Sequence, residues 1–154
     1  MNLLHLPALA LLLAVQARAY DTIRFLEPIK GTEMLRPVAA AAASDRLYVV
    51  DEKKNMLFLY DTAGSLIKTV GRSGSQPGAF EGPRGVAVGP NGNVYVADTG
   101  NHRIEIFDHD GNFIYTFGEK GGEAGKLRNP ESVSVGAAGR IFVSDTGNNR
   151  IQVF

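Results

Sequence analysis

Short runs of alternating apolar and polar residues cover the chain from about residue 31 to its end, separated by breaks rich in Gly, Asn and Asp. Alternation with a period of two is typical of β-strands that bury one face. In the middle of the chain it predicts strands at 85–88, 94–97, 103–107 and 113–117. The breaks Pro90-Asn91-Gly92-Asn93 and Asp108-His109-Asp110-Gly111 predict tight hairpins, because Asn-Gly and Asp-Gly tolerate a positive φ. We therefore expect antiparallel sheets made of neighbouring strands.

The pattern is also repeated along the chain. Asp145 lies 47 positions after Asp98, and the same step backwards leads from Asp98 to Asp51. This spacing divides the chain into three copies, at about 31–77, 78–124 and 125–154. A four-stranded antiparallel unit that recurs every ~40–50 residues is typical of a β-propeller blade. The sequence thus predicts an all-β fold with about three propeller blades.

One family resembles this repeat closely. The middle copy reads F-x-x-P-x-G-V-A-V from Phe80, then N-V-Y-V-A-D-T-G-N-H-R-I-x-x-F from Asn93 to Phe107. This pattern resembles the NHL repeat. The resemblance covers residues from about 31 to 154, with two good copies and one degraded copy that has Lys54 and Met56 in place of Asn and Arg. It implies a partial β-propeller, since NHL repeats usually form six blades.

The polar residues that recur in the copies are predicted to be structural. A residue present in every blade is better suited to holding blades together than to binding one ligand. Asp and Asn can accept or donate hydrogen bonds in the turn after the second strand, and Arg can pair with a carboxylate at a contact between blades. These structural repeat residues are Asp51, Asp98, Asn101, Arg103, Asp145, Asn148 and Arg150.

A ligand-binding residue should instead break the repeat. In a propeller, the loop before each first strand and the turn between the second and third strands lie on one face. On that face Arg84 corresponds to Glu131, and His102 corresponds to Asn149. Loops on a rigid scaffold often carry function. Arg84, His102, Glu131 and Asn149 are therefore the candidate residues for binding a protein partner or a small molecule.

Catalytic motifs are not predicted. A nucleophilic triad needs a His base, and after residue 19 the chain has only His102 and His109, which lie in predicted turns. The loop Gly121–Lys126 lacks the spacing of a phosphate-binding loop. The sequence thus predicts no catalytic residue, no metal site and no cofactor, and favours a non-catalytic scaffold. The alternative, implied by the resemblance, is a fragment of a metal-dependent propeller enzyme similar to peptidylglycine amidating lyases or gluconolactonase-like hydrolases.

The first 19 residues are interpreted as a secretory signal peptide. They combine an apolar run at 3–15 with the small-x-small pattern Ala17-Arg18-Ala19. The run is too short for a membrane-spanning helix, which needs ~20 apolar residues. We expect cleavage before Tyr20 and export of residues 20–154 to a periplasm or the cell exterior. The chain has no Cys and a formal net charge of zero, which argues against disulfides and against nucleic-acid binding.

Blade number leaves two alternatives open. Six blades would need about twice the length of residues 20–154, and three blades alone would expose strand edges and apolar faces. A further strand is predicted at 22–26, before the first copy. Either the chain is part of a longer NHL protein, or two copies form a head-to-tail homodimer that closes six blades.

Overall fold

The computed structural model describes Ile29 and residues 33–154, so the predicted signal peptide and the predicted strand at 22–26 lie outside the described residues. Three antiparallel sheets follow one another along the chain, and we call them blades 1 to 3. Blade 1 consists of β1 (Pro37–Ala42), β2 (Arg46–Asp51), β3 (Met56–Asp61) and β4 (Leu66–Val70). Blade 2 consists of β5 (Gly85–Val88), β6 (Val94–Asp98), β7 (Arg103–Phe107) and β8 (Phe113–Phe117). Blade 3 consists of β9 (Pro130–Val135), β10 (Ile141–Asp145) and β11 (Arg150–Val153).

In every blade the strands are hydrogen-bonded in chain order. The predicted all-β fold of about three blades is therefore confirmed. The four strands expected in the middle copy are present, and β6 extends one residue further, to Asp98. Blades 1 and 2 also share a register shift in the pairing of their third and fourth strands, between Leu59 and Tyr60 and between Ile106 and Phe107. The repeat is thus reproduced down to single irregularities.

Strand β6 shows how the blades pack on one another. All five of its residues are buried. Val94 and Val96 pack against blade 1, in a cluster with Tyr48, Val50 and Leu57. The alternate residues Tyr95 and Ala97 pack against blade 3, in a cluster with Val133 and Val143. Because successive side chains of a strand point to opposite faces, one strand contributes to two separate cores.

One apolar residue of each loop between blades completes these cores. Phe80 belongs to the cluster of blades 1 and 2, and Leu127 belongs to the cluster of blades 2 and 3. Each lies directly on a glycine of positive φ, Gly71 and Gly118 respectively, where an added Cβ would lie 2.6 Å from the apolar side chain. The loop therefore needs a residue without a side chain at that position.

The helical segments in the described part of the chain are 3-10 turns, Thr99–Asn101 and Thr146–Asn148, which follow β6 and β10. Each ends in a residue of left-handed conformation, His102 or Asn149. No helix within residues 33–154 is long and apolar enough to cross a membrane.

Candidate functional site

The loops between blades meet the turns between second and third strands at one end of the sheets. Backbone hydrogen bonds join them: Gly100 N–H donates to the Glu81 carbonyl and Gly147 N–H donates to the Arg128 carbonyl, both at 2.8 Å. We call this end the loop face; it comprises residues 52–55, 71–84, 99–102, 118–129 and 146–149. All four residues predicted to bind a partner lie on it or at its border.

Asp98 is the centre of a hydrogen-bonded clamp on the loop face. Its buried carboxylate accepts from the backbone N–H of Glu81 at 2.7 Å, from Nδ2 of Asn101 at 2.8 Å and from Nε of Arg103 at 2.9 Å. Blade 3 repeats the arrangement around Asp145. That carboxylate accepts from the backbone N–H of Arg128 at 2.6 Å, and also from Asn148 and Arg150. The clamp holds each loop onto the blade that follows it.

The arginine of the clamp binds backbone oxygens. Arg103 donates to the carbonyls of Ser75, Gln76 and Ala79 at 2.8–3.1 Å. Arg150 makes the corresponding bonds in blade 3, to the carbonyls of Gly122, Glu123 and Lys126. Each arginine forms an ion pair with the Asp of its own blade, and Arg103 also pairs with Glu105 of the same blade. Each arginine thus joins its blade to the loop that comes from the preceding blade.

In blade 1 the aspartate at the end of the second strand, Asp51, has different hydrogen-bond partners. The Asp51 carboxylate accepts from the backbone N–H groups of Leu35 and Arg36, which precede β1. It also accepts from the N–H groups of Lys53 and Lys54 in its own turn, at 3.0 and 2.8 Å. Because blade 1 lacks the Asn and Arg of the clamp, Asp51 saturates its carboxylate with backbone donors instead.

Equivalent carboxyl groups have different acidities. Desolvation is the largest influence on Asp98 and raises its pKa. Desolvation also acts on Asp145, but hydrogen bonds from Asn148, Arg128, Arg150 and Gln152 outweigh it and lower the pKa. Packing explains the difference, because blade 2 is covered by a blade on both sides whereas blade 3 is covered on one side in the described residues.

Glu105 is a buried carboxyl group that the sequence reasoning did not single out. It is fully buried on β7, within 2.8 Å of the Arg103 guanidinium, and accepts from the backbone N–H of Gly78. Burial raises its pKa to about 7, against the opposing influence of Arg103. The other copies have Phe58 and Gln152 at this position. A charged residue at a buried strand position that breaks the repeat was the signal available in the sequence.

Arg84 and Glu131 are brought together, in a chain of ion pairs that crosses three blades. Arg84 contacts Glu131 at 2.6 Å and Glu52 of blade 1 at 2.9 Å. Glu52 in turn lies 3.1 Å from Nε of Arg36. These pairs raise the pKa of Arg84 further, mainly through its hydrogen bond to Glu52. Two of the predicted binding residues, Arg84 and Glu131, therefore form an ion pair with each other. Through Glu52 this pair connects blade 1 to blade 3.

His102 makes a contact between blades 2 and 3. Its Nδ1 accepts from the backbone N–H of Asn129 at 3.1 Å. Blade 1 makes the same contact with blade 2 through Asn55, whose Oδ1 accepts from Gly82 N–H at 2.6 Å. Asn149 is the third member of the set, and all three residues have φ between 52° and 60°. Since a backbone N–H can only donate, Nδ1 of His102 must be unprotonated in this structure.

Acidification is expected to weaken this junction. Burial, Lys120 and Arg128 lower the pKa of His102, so its neutral form stabilises the fold above the ordinary His range, and this contribution is lost as the pH falls through the lowered pKa. Loss of one hydrogen bond costs about 1 kcal/mol. His102→Asn, which copies Asn55, should flatten the pH dependence of the urea unfolding midpoint between pH 7 and 5. Equal slopes for both proteins would contradict this role.

A cleft of about 550 Å³ opens on the loop face where blades 1 and 2 meet. Its walls come from the turn of blade 1 and from the loops before β1 and β5. The lining residues are Leu35, Arg36, Glu52, Lys53, Asn55, Glu81 and Gly82. None of the four predicted binding residues lines the cleft, but Arg84 forms an ion pair with Glu52, which does.

The opposite end of the sheets carries the second histidine. His109 Nδ1 lies 3.0 Å from the Tyr48 hydroxyl, which also donates to the His109 carbonyl, and Nε2 lies 3.2 Å from Asp45. The hairpin of blade 2 is thereby fixed to the first hairpin of blade 1. Within residues 33–154, no three His, Asp or Glu side chains are grouped so that they could hold a metal ion.

Comparison with known proteins agrees with this geometry. The family model of the NHL repeat matches residues 80–107 and 127–154. None of the curated proteins compared with the chain matches it. Each matched segment begins at the core residue of a loop, Phe80 or Leu127, and contains the Asp, Asn and Arg side chains of one clamp.

Three solved structures share the fold. An auxiliary nutrient binding protein from Bacteroides thetaiotaomicron aligns with a TM-score of 0.54 and 19% identity, over 71% of this chain and 34% of that chain. Virginiamycin B lyase from Staphylococcus aureus aligns with a TM-score of 0.55 and 17% identity, over 77% and 40%. The WD40 β-propeller domain of Doa1 aligns with a TM-score of 0.55 and 14% identity, over 71% and 33%.

The chain spans between 33% and 40% of the length of these three proteins. At identities below 20%, the alignments show a common fold. Together with the two matched repeats, they confirm the resemblance drawn from the sequence. Two segments of the chain match the NHL repeat, and the described residues fold into about three blades of a β-propeller.

Proposed function

We propose that the chain is an exported, non-catalytic binding module whose partner docks on the loop face. The observation that carries the proposal is the cleft between blades 1 and 2. Its volume of about 550 Å³ lies within the ~300–1,000 Å³ of small-molecule sites. Its walls are loops held on the sheets by Asp51 in blade 1 and by the Asp98 clamp in blade 2, and such loops commonly carry binding residues.

The contacts of the two described histidines support a non-catalytic role. His102 already accepts a hydrogen bond from Asn129, and His109 is held between Tyr48 and Asp45. A general base must be able to reach the proton it abstracts, and both imidazoles are engaged in contacts between blades. The proposal of export rests on residues 1–19, and a structural neighbour described as a nutrient binding protein supports it.

The test is a thermal unfolding screen of the purified chain against amino acids, sugars, sugar acids and nucleotides, with its metal content measured on the same sample. A ligand at 100 times its Kd adds about 2.7 kcal/mol to stability. We expect one chemical class to raise the Tm, and Asn55→Leu in the cleft wall to abolish the shift. Stoichiometric zinc or calcium, with turnover of a lactone or peptide substrate, would instead support the enzyme alternative.

We further propose that the open side of blade 3 is an assembly surface for a second copy. Blade 2 binds blade 3 through Thr99, whose hydroxyl donates to the Pro130 carbonyl, and through His102. Blade 3 has Thr146 and Asn149 at these positions, and Ile151 and Val153 beside them are 61% and 55% exposed. Light scattering should give the mass of a dimer, and Ile151→Glu should give that of a monomer. A folded wild-type monomer at high concentration would exclude the dimer.

A further inference from the structure

The cleft exists because one position differs between the blades. In blades 2 and 3 the turn after the second strand contains Gly100 and Gly147, which lie directly on the preceding loop. A Cβ at Gly100 would lie 2.6 Å from the Glu81 carbonyl oxygen, and one at Gly147 would lie 2.7 Å from the Arg128 carbonyl oxygen. Blade 1 has Lys53 at this position. A lysine cannot make the close backbone contact that closes the other two corners.

The backbone N–H groups in the turn of blade 1 nevertheless have hydrogen-bond acceptors without a contact to the preceding loop. Lys53 N–H and Lys54 N–H both donate to Asp51 Oδ1. In blade 2 the corresponding N–H, that of Gly100, donates to the Glu81 carbonyl of the loop. Asp51 therefore replaces the loop as hydrogen-bond acceptor. The corner remains ordered while the space beside it stays accessible from the loop face.

Charged groups in this space differ in what they contact. Glu52 is engaged by Arg84 and approached by Arg36, and its buried Oε2 makes no hydrogen bond. Within residues 33–154, the Lys53 ammonium and the Glu81 carboxylate form no ion pair and no side-chain hydrogen bond. The cleft thus contains one cation, Lys53, and one anion, Glu81, that have no charged partner among the described residues. The neighbouring Glu52 is already paired with arginine.

We propose that this cleft binds a small zwitterion, namely a free α-amino acid or a dipeptide. Lys53 would contact its carboxylate, Glu81 would contact its ammonium group, and the exposed Leu35 would contact an apolar side chain. One uncommitted charge of each sign matches a ligand that carries both, and a ligand with a single charge would leave one of them unpaired. This inference rests on the proposed binding function and specifies its ligand class.

Isothermal titration of the full chain with L-leucine and glycyl-leucine tests the proposal. N-acetyl-leucine keeps only the carboxylate, and leucinamide keeps only the ammonium group. We expect one of the zwitterions to bind, and both single-charge analogues to bind at least tenfold more weakly. Lys53→Met and Glu81→Gln should each weaken binding by a similar factor. Lys54→Met is the matched control, since its side chain does not line the cleft, and it should leave affinity unchanged.

The outcomes separate this inference from the proposed function. Equal binding of N-acetyl-leucine, or binding insensitive to both cleft variants, would overturn the zwitterion site. Absence of binding by all four probes would also overturn it, whereas a different ligand class found in the thermal screen would leave the binding function standing. Failure of both experiments would reject the two proposals together. Unfolding curves of each variant would show whether a loss of binding reflects a loss of fold.

Discussion

Replacing Asp98 with Ala is expected to lower the free energy of unfolding by about 3–5 kcal/mol, the typical cost of breaking a buried ion pair from one side. The carboxylate is fully buried and accepts from Glu81 N–H, Asn101 and Arg103. Its removal leaves three partly buried donors short of an acceptor and releases the loop before β5. Urea unfolding followed by far-UV circular dichroism measures the loss.

Asp61→Ala is the matched control for Asp98→Ala. Asp61 also accepts two backbone N–H bonds, from Ala63 and Ser65, but it does so in an exposed hairpin. We expect a loss of about 1 kcal/mol there. If Asp98→Ala does not fold, Asp98→Asn keeps the shape and one acceptor oxygen and should show an intermediate loss. A cost at Asp98 no larger than that at Asp61 would contradict the clamp.

Glu105→Gln is expected to stabilise the protein at pH 8 by about 2 kcal/mol. The folded state raises the pKa of Glu105 to about 7 from an ordinary value near 4.5. A raised pKa means that the folded state disfavours the charged form, so stability falls as the pH rises from about 4.5 to 7. The full shift corresponds to about 3.4 kcal/mol, and we expect less because glutamine replaces one of the two oxygens that accept from Gly78 N–H. Glutamine keeps an acceptor for Gly78 N–H, as Gln152 does for Gly125.

The comparison between pH 5 and pH 8 distinguishes this effect from ordinary surface changes. The stabilisation by Glu105→Gln should shrink toward pH 5, where the wild-type carboxyl is largely protonated. Glu119→Gln makes the same chemical change at an exposed side chain and should alter stability by less than about 0.5 kcal/mol at both pH values. A variant that is less stable than the wild type at pH 8 would show that the Arg103 pair outweighs desolvation.

Repetition made the fold predictable from one sequence. The step of 47 residues between Asp51, Asp98 and Asp145 identified the blades, and period-2 alternation located the strands of the middle copy. Hairpin residues such as Asp108 and Gly111 marked the turns, because their preferences are local. Each of these signals depends on a few neighbouring residues, so tertiary packing had little opportunity to override them.

The site was harder to predict, because contacts between blades join distant residues. His102 and Asn149 are different residues at one position of the repeat, yet Asn55 shows that an imidazole and an amide can make the same hydrogen bond. Arg84 and Glu131 differ because they pair with each other. Lys53 belongs to the degraded copy of the repeat, and the sequence alone gives it no special role. The close contact that a glycine makes at this position is visible only in the structure.

The clamps also define where one unit of the protein ends and the next begins. Asp98 and Arg103 hold the loop that precedes their blade, and Phe80 of that loop lies on Gly71. Exchange of the gene segment between the codons of the equivalent glycines, Gly71 and Gly118, would move a blade together with its own loop. The recipient would still have to match the contacts between blades, which are the apolar cores on both sides of the second strand, the ion pairs of Arg84 and the hydrogen bonds of Thr99 and His102. A recombination point at these glycines therefore keeps every contact between a blade and its own loop, and only the surfaces between blades have to fit the new neighbours.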